Sequence, residues 1–238
     1  MPDRPSERRS AARTSVVWDA LGPVLDGPGA DVLDIGGGTG GFAVRVAELG
    51  HRVSVVDPSP DALASLDRRA REVGVSVTGQ QGDLSTLLDV TGPASADVVL
   101  CHGVLEVVDD PAAALATLRE VLRPGGTLSL LVAQRHAAVV ARAMAGHFAQ
   151  ALALIDDRAA GAGRSGRRFT HPEATRLLTD SGFEVTAVHG VRVFADLVPG
   201  SLLDLEPGAT GALVELERAA SERPEYLPLA TQLHLMAR

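Results

Sequence analysis

DVLDIGGGTGGFA, residues 31–43, sets five glycines within six positions, between an apolar run and a segment that reads as the start of a helix. A chain that turns sharply from strand to helix while a ligand lies against its backbone needs residues without a Cβ. Gly36, Gly38 and Gly41 spell G-x-G-x-x-G, the pattern that cradles a dinucleotide pyrophosphate. Asp34, Gly36, Gly38 and Gly40 spell D-x-G-x-G-x-G, which suits another adenosine-bearing cofactor. The letters of this stretch leave both open.

Four further β-branched apolar runs follow: RVSVVD (52–57), VSVTG (75–79), ADVVLC (96–101) and GTLSLLVA (126–133). Helical patterns separate them, over 39–49 ending at Gly50, over 59–73 ending at Gly74, and over 110–122 with Pro111 in the first turn. Such alternation predicts an α/β fold, a doubly wound, mostly parallel sheet with crossover helices, which the two later strands described below bring to seven strands. Past residue 133 an Ala-rich helical stretch (135–160) leads into GAGRSGRR (161–168), a loop of the kind that rims a site. A helix from about 171 to 181, a strand opening FEVTAVHGVRVFADL (183–197), a helix in GALVELERAASE (211–222) and a last strand in LATQLHLMA (229–237) complete the chain. The expected organisation is a disordered arm over 1–10 and a single domain over 11–238, with 135–170 inserted as a helical and loop lid.

Composition narrows the chemistry. All 22 basic residues are arginine, so a lysine Schiff base or a lysine-gripped phosphate is excluded. The net charge of −8 argues against non-specific adhesion to nucleic acid and leaves room for a local arginine patch. The single cysteine, Cys101, sits in an apolar run and reads as a buried small hydrophobe. No apolar run approaches the roughly 20 residues of a membrane span, and the first residues have no signal-peptide pattern. A cytoplasmic, membrane-free protein without a metal site is expected.

Two features favour the second glycine pattern. Asp34 stands in the strand two residues before the first glycine, where it would repel a pyrophosphate but could balance a cofactor's ammonium group. LRPGG (122–126) precedes the fifth strand. With these, VLDIGGGTG resembles the first motif of the class I S-adenosylmethionine-dependent methyltransferases. The resemblance implies that Gly36, Gly37 and Gly38 face S-adenosylmethionine. Their second-strand acid corresponds to Asp57, at the carboxyl end of a neighbouring strand, where a carboxylate accepts both ribose hydroxyls; capping of the helix near Ser59 is the alternative role. In QQGDL, Gln81, Gly82 and Asp83 would lie beside the adenine, and His102 would edge the cofactor cleft.

Segments outside the shared motifs are similar to one subfamily, the bacterial tRNA 5-carboxymethoxyuridine methyltransferases: CHGVLEVVDDP, AGHF (145–148), GVRVFADL (190–197), ALVELE (212–217) and HLMAR (234–238). This resemblance implies a cofactor contact from Arg13 and a tRNA wobble uridine as substrate, methylated on its carboxylate. A carboxylate is anionic at neutral pH, so no general base is required, and an arginine fork suits it better than a point charge. Arg192 is the expected carboxylate clamp, followed by Arg135 and Arg168. Two departures stand out: DDRAAGAGRSGRR (156–168) replaces a lysine-rich segment, and Ala133-Gln134 replaces an aromatic–Asn pair. The alternatives are a small-molecule O- or N-methyltransferase and a non-catalytic nucleotide-binding module.

Overall fold

Strands β1 (Asp31–Ile35), β2 (Arg52–Asp57), β3 (Val77–Gln81), β4 (Ala96–His102) and β5 (Leu122–Ala133) form in the apolar runs, with β6 (Val185–Val191) and β7 (Gln232–Ala237) following in the last third of the computed structural model. They make one seven-stranded sheet in the order β3-β2-β1-β4-β5-β7-β6. β1 pairs in parallel with β2 and β4, as do β2 with β3 and β4 with β5. β1 and β4 are buried along nearly their whole length, as Val/Ile/Leu-rich strands covered on both faces must be. Glu184 and Arg238 exchange both backbone hydrogen bonds, the signature of antiparallel pairing beside β6 and β7. The structure describes residues 5–27, 29–155, 166–205 and 208–238.

The helices are α1 (Pro5–Leu25), α2 (Ala43–Glu48), α3 (Pro60–Val73), α4 (Leu87–Thr91), α5 (Pro111–Val121), α6 (Arg135–Met144), α7 (Phe148–Ile155), α8 (His171–Asp180), α9 (Gly200–Leu205) and α10 (Ala209–Ser221). α3 and α5 carry the signals read in the sequence: Ser59 accepts from Ala62 N–H, Asp110 accepts from Ala112 and Ala113 N–H, and each helix opens on proline. Contacts divide the chain into two compact units. The first comprises residues 22–131, 175–187 and 235–238; the second comprises the part up to Leu21, with 132–174 and 188–234.

Several boundaries differ from expectation. α2 starts at Ala43 rather than Thr39, because Gly38 and Gly40 hold φ of 56° and 79°, which a right-handed helix cannot include. LRPGG lies inside β5, not before it, with a register irregularity opposite Ala96–Val98. The Ala-rich stretch is two helices, broken where Gly146 takes φ of 76°; residues 156–165 of the expected lid lie outside the described residues. α1 begins at Pro5, within the stretch expected to be an unstructured arm, of which residues 1–4 are likewise outside the description. No helix among the described residues is long and apolar enough to cross a membrane.

Candidate functional site

In the first unit the strand order reverses between β1 and β4, and the carboxyl ends there are where an open α/β sheet binds ligands. The glycine loop leaves β1 at this point. Gly36, Gly38 and Gly40 all take positive φ, and a Cβ at Gly40 would meet Leu66 Cδ1 at 2.3 Å. Gly41 has neither constraint: a Cβ there would meet only Arg69 Nη1, at 4.0 Å. The backbone therefore requires the glycines of D-x-G-x-G-x-G, while the last glycine of the dinucleotide pattern is dispensable. A Cβ on Gly36 would come within 2.4 Å of Val104 Cγ2 from the loop after β4, so the two strand ends approach with no room for a side chain.

Asp34 and Asp57 hold this loop from below and from the side. Asp34 is buried; it accepts a hydrogen bond from Ala43 N–H at the start of α2, and its carboxyl lies directly beneath Gly37, where a Cβ would meet Oδ2 at 2.6 Å. Burial, with the charge of Asp57 second, raises its pKa to about 7. Asp57 Oδ2 accepts from Gly38 N–H at 2.9 Å and Oδ1 from Ser59 N–H at 2.8 Å. Each oxygen thus uses one lone pair on the protein and keeps a second for a ligand hydroxyl. The helix cap itself is Ser59, so Asp57 braces the loop rather than capping α3.

The β2–β3 register sets Asp57 beside Gln81, and Gly82 N–H donates to the Asp57 carbonyl at 3.2 Å. Gln81 Nε2 reaches the Pro58 carbonyl at 3.3 Å. Asp83 folds its own turn through Oδ1, which accepts from Ser85 N–H, Ser85 Oγ and Thr86 N–H; these bonds, the Ser85 hydroxyl foremost, hold its pKa down. At the end of β4, His102 Nε2 lies 2.9 Å from Ser129 Oγ on β5, and its ring packs edge-on against Phe42. Burial lowers its pKa to about 4, so it is a neutral strut at pH 7 rather than a base. Cys101, one residue earlier, is fully buried and its thiol is pushed up by burial.

Gly36, Pro58, Asp83, Leu84, Val104 and Val107 line a cleft of about 490 Å³ at these carboxyl ends. A larger hollow of about 710 Å³ lies by Asp31, Arg52 and Ala96, which begin β1, β2 and β4. It is on the wrong edge of a parallel sheet for a cofactor, and the smaller cleft is the candidate seat. Asp34, Gly36, Gly37, Gly38, Asp57, Gln81, Gly82, Asp83 and His102 are thus brought to one edge.

Arg13 and Arg192 belong to the second unit. There they share one carboxylate: Asp196 pairs closely with Arg192 and lies 3.4 Å from Arg13. Arg192 follows β6 with φ of 61°, a conformation that a side chain normally avoids. Its carbonyl accepts from Thr231 N–H and Oγ1, and Nη1 reaches Gln232 Oε1. The next three N–H groups, of Val193, Phe194 and Ala195, all donate to the fully buried Glu217 carboxylate at 2.9, 2.8 and 2.7 Å. Arg135 is engaged elsewhere, with Glu173 at 2.9 Å and the Arg168 carbonyl at 3.3 Å.

Residues 33–130 match the methyltransferase domain family. Over 95% of its length the chain is 32% identical to the tRNA 5-carboxymethoxyuridine methyltransferase of Escherichia coli K12, spanning 87% of that protein. The chain belongs to this methyltransferase family. A ubiquinone biosynthesis O-methyltransferase from Xanthomonas campestris is 35% identical over half of the methyltransferase and 49% of its own length. The crystal structure of magnesium protoporphyrin IX methyltransferase from Synechocystis, with bound S-adenosylhomocysteine, superposes with a TM-score of 0.61 at 18% identity, covering 96% of this chain and 82% of that one.

The methyltransferase uses S-adenosylmethionine, and the residues at the strand ends fit it. The glycine loop presents backbone without side chains, Asp57 keeps acceptors for a ribose, and Leu84, Val104 and Val107 offer apolar surface to a purine. Asp196 and Glu217 escaped the sequence reading. For Glu217 a signal exists: Leu213, Glu217, Ala220 and Ser221 are the buried positions of α10, so its spacing places it on the inward face.

Proposed function

We propose that this methyltransferase esterifies the carboxylate of 5-carboxymethoxyuridine at the tRNA wobble position. The observation that carries the reading is the extent of the match to the Escherichia coli tRNA methyltransferase, which at 95% of the chain runs far beyond residues 33–130. The lengths outside that domain contain Arg13, Arg192 and Asp196. Two guanidinium groups on one carboxylate leave a net positive charge, which suits an anionic acceptor.

Bound S-adenosylmethionine supplies an electrophilic methyl group on a sulfonium. The acceptor carboxylate is ionised at neutral pH, so the chain's work is to hold its oxygen in line and to keep water out. Arg192 serves as the clamp, with Arg13 sharing its Asp196 partner, and Asp34, Gly36, Gly37, Gly38, Asp57, Gln81, Gly82, Asp83 and His102 serve as cofactor-side residues. The described helices of the expected lid, α6 and α7, stand on the acceptor side in this reading.

The experiment is incubation of the protein with S-adenosylmethionine and tRNA bearing 5-carboxymethoxyuridine, followed by mass spectrometry of the digested nucleosides. The methyl ester is expected in wild type and greatly reduced in Arg192→Ala. Absence of the ester, with methyl transfer to a metabolite extract instead, would favour a small-molecule O-methyltransferase, the activity named for a relative that matches half the chain.

A further inference from the structure

The second unit contains a hollow of about 220 Å³ lined chiefly by Gln134, Arg142, Arg168, Asp196, Leu197 and Thr231, with Ala137, Ala138 and Ala141 along one side of α6. We propose that this hollow is the seat of the acceptor's ring: a planar base of pyrimidine size carrying an anionic arm. The proposal rests on the tRNA reading above for the identity of that base.

Size comes first. Sites for drug-sized ligands run to roughly 300–1,000 Å³, so this one takes a single ring with a short substituent and excludes a whole nucleotide. Chemistry comes second. Bases that enzymes take out of the stack lie between apolar or aromatic side chains, or on guanidinium planes. Here the walls are aliphatic, from the three alanines, Leu197 and Leu229, and two arginines stand among them. α6 contributes no fully buried residue, so its small apolar face is not filled by the protein's own core.

Charge is the third consideration. Asp196 would repel an anion if it stood alone, but it is shared between Arg192 and Arg13. The same carboxylate that lines the hollow therefore ties it to the proposed clamp. Arg142 makes no ion pair with a described residue, and its guanidinium is available at the hollow. Gln134 is committed to the protein: Nε2 donates to the Leu227 carbonyl and Oε1 accepts from Ala137 N–H. It shapes the floor and leaves recognition of the anionic arm to arginine.

The test is calorimetric binding of the nucleoside 5-carboxymethoxyuridine, with uridine as control, to the full chain saturated with S-adenosylhomocysteine. Wild type is expected to bind the acidic nucleoside at least ~10-fold more tightly than uridine. Leu197→Trp, which fills the hollow, and Arg142→Ala are each expected to weaken that binding about 10-fold, with S-adenosylhomocysteine affinity and melting temperature unchanged. Arg142→Gln serves as a milder second variant. Equal binding of the two nucleosides by wild type, or wild-type binding by both hollow variants, overturns the inference. The tRNA ester assay runs in parallel: if the ester forms while these variants keep wild-type KM, the hollow is wrong and the tRNA reading stands. If no ester forms, the tRNA reading is wrong, and nucleoside binding still decides the hollow.

Discussion

Ionisation of Asp34 is opposed by two influences, its burial and the neighbouring Asp57, and is helped by a backbone hydrogen bond from Ala43. Its folded pKa, about 7, lies above the ordinary carboxylate value near 4. Between those pH values the folded chain binds a proton that the unfolded chain releases, so this group's stabilisation is complete below about pH 4 and is lost as pH rises towards 7. Wild type is therefore expected to gain stability relative to Asp34→Asn on acidification from pH 8 to pH 5, by on the order of a few kcal/mol. Paired thermal melts across that range measure it; a flat difference would mean that burial does not set the charge. The direction is opposite to that of Asp31, whose pKa is lowered to about 2 by Arg52 and Arg123 and whose stabilisation is lost only on strong acidification. Taking the difference between the two proteins cancels the latter.

At the scale of elements, the turn after β6 depends on α10. Glu217 satisfies three successive N–H groups of that turn, and truncating it leaves one buried and two half-buried donors without their acceptor. Glu217→Ala is expected to lower unfolding free energy by roughly 2–4 kcal/mol in urea titrations, with Glu217→Gln losing less because one amide oxygen still accepts. This dependence also marks where the sequence stops being legible. Strands β1, β2, β4 and β5 could be read because their apolar runs are continuous and bounded by proline, glycine and cap residues. The loop that α2 was expected to absorb, and the break at Gly146, turn on left-handed glycines, which are spelled like any other glycine. The strand-end residues Asp34 and Asp57 were legible because a parallel sheet fixes where its carboxyl ends lie. The joining of Arg13, Arg192 and Asp196 was not, since they lie 179 and 183 residues apart from the first to the other two in sequence, and local pattern does not reach so far.

For the whole molecule, charge is unevenly distributed. Residues 132–174 hold six of the 22 arginines but only three of the 30 acids, in a chain whose net charge is −8. A polyanionic RNA engaged by such a segment is released by salt, because each neutralised phosphate frees a counterion. If about three phosphates are contacted, kcat/KM on tRNA is expected to fall about 20- to 40-fold between 50 and 200 mM salt. S-adenosylhomocysteine affinity, measured under the same conditions, should change far less. A salt-independent kcat/KM would point to an acceptor without a phosphate backbone.

The left-handed Arg192 implies a conflict between robustness and use. Glycine would suit that backbone better by roughly 1 kcal/mol, yet the position carries one of the bulkiest side chains. Comparing Arg192→Gly with Arg192→Ala isolates this cost, since both remove the guanidinium and only the glycine relieves the backbone. The glycine variant is expected to melt at the higher temperature of the two while both lose methyl transfer. The guanidinium's bonds to Asp196 and Gln232 offset part of that backbone cost, so the melting difference between the two variants reads the strain of the turn while methyl transfer reads the guanidinium.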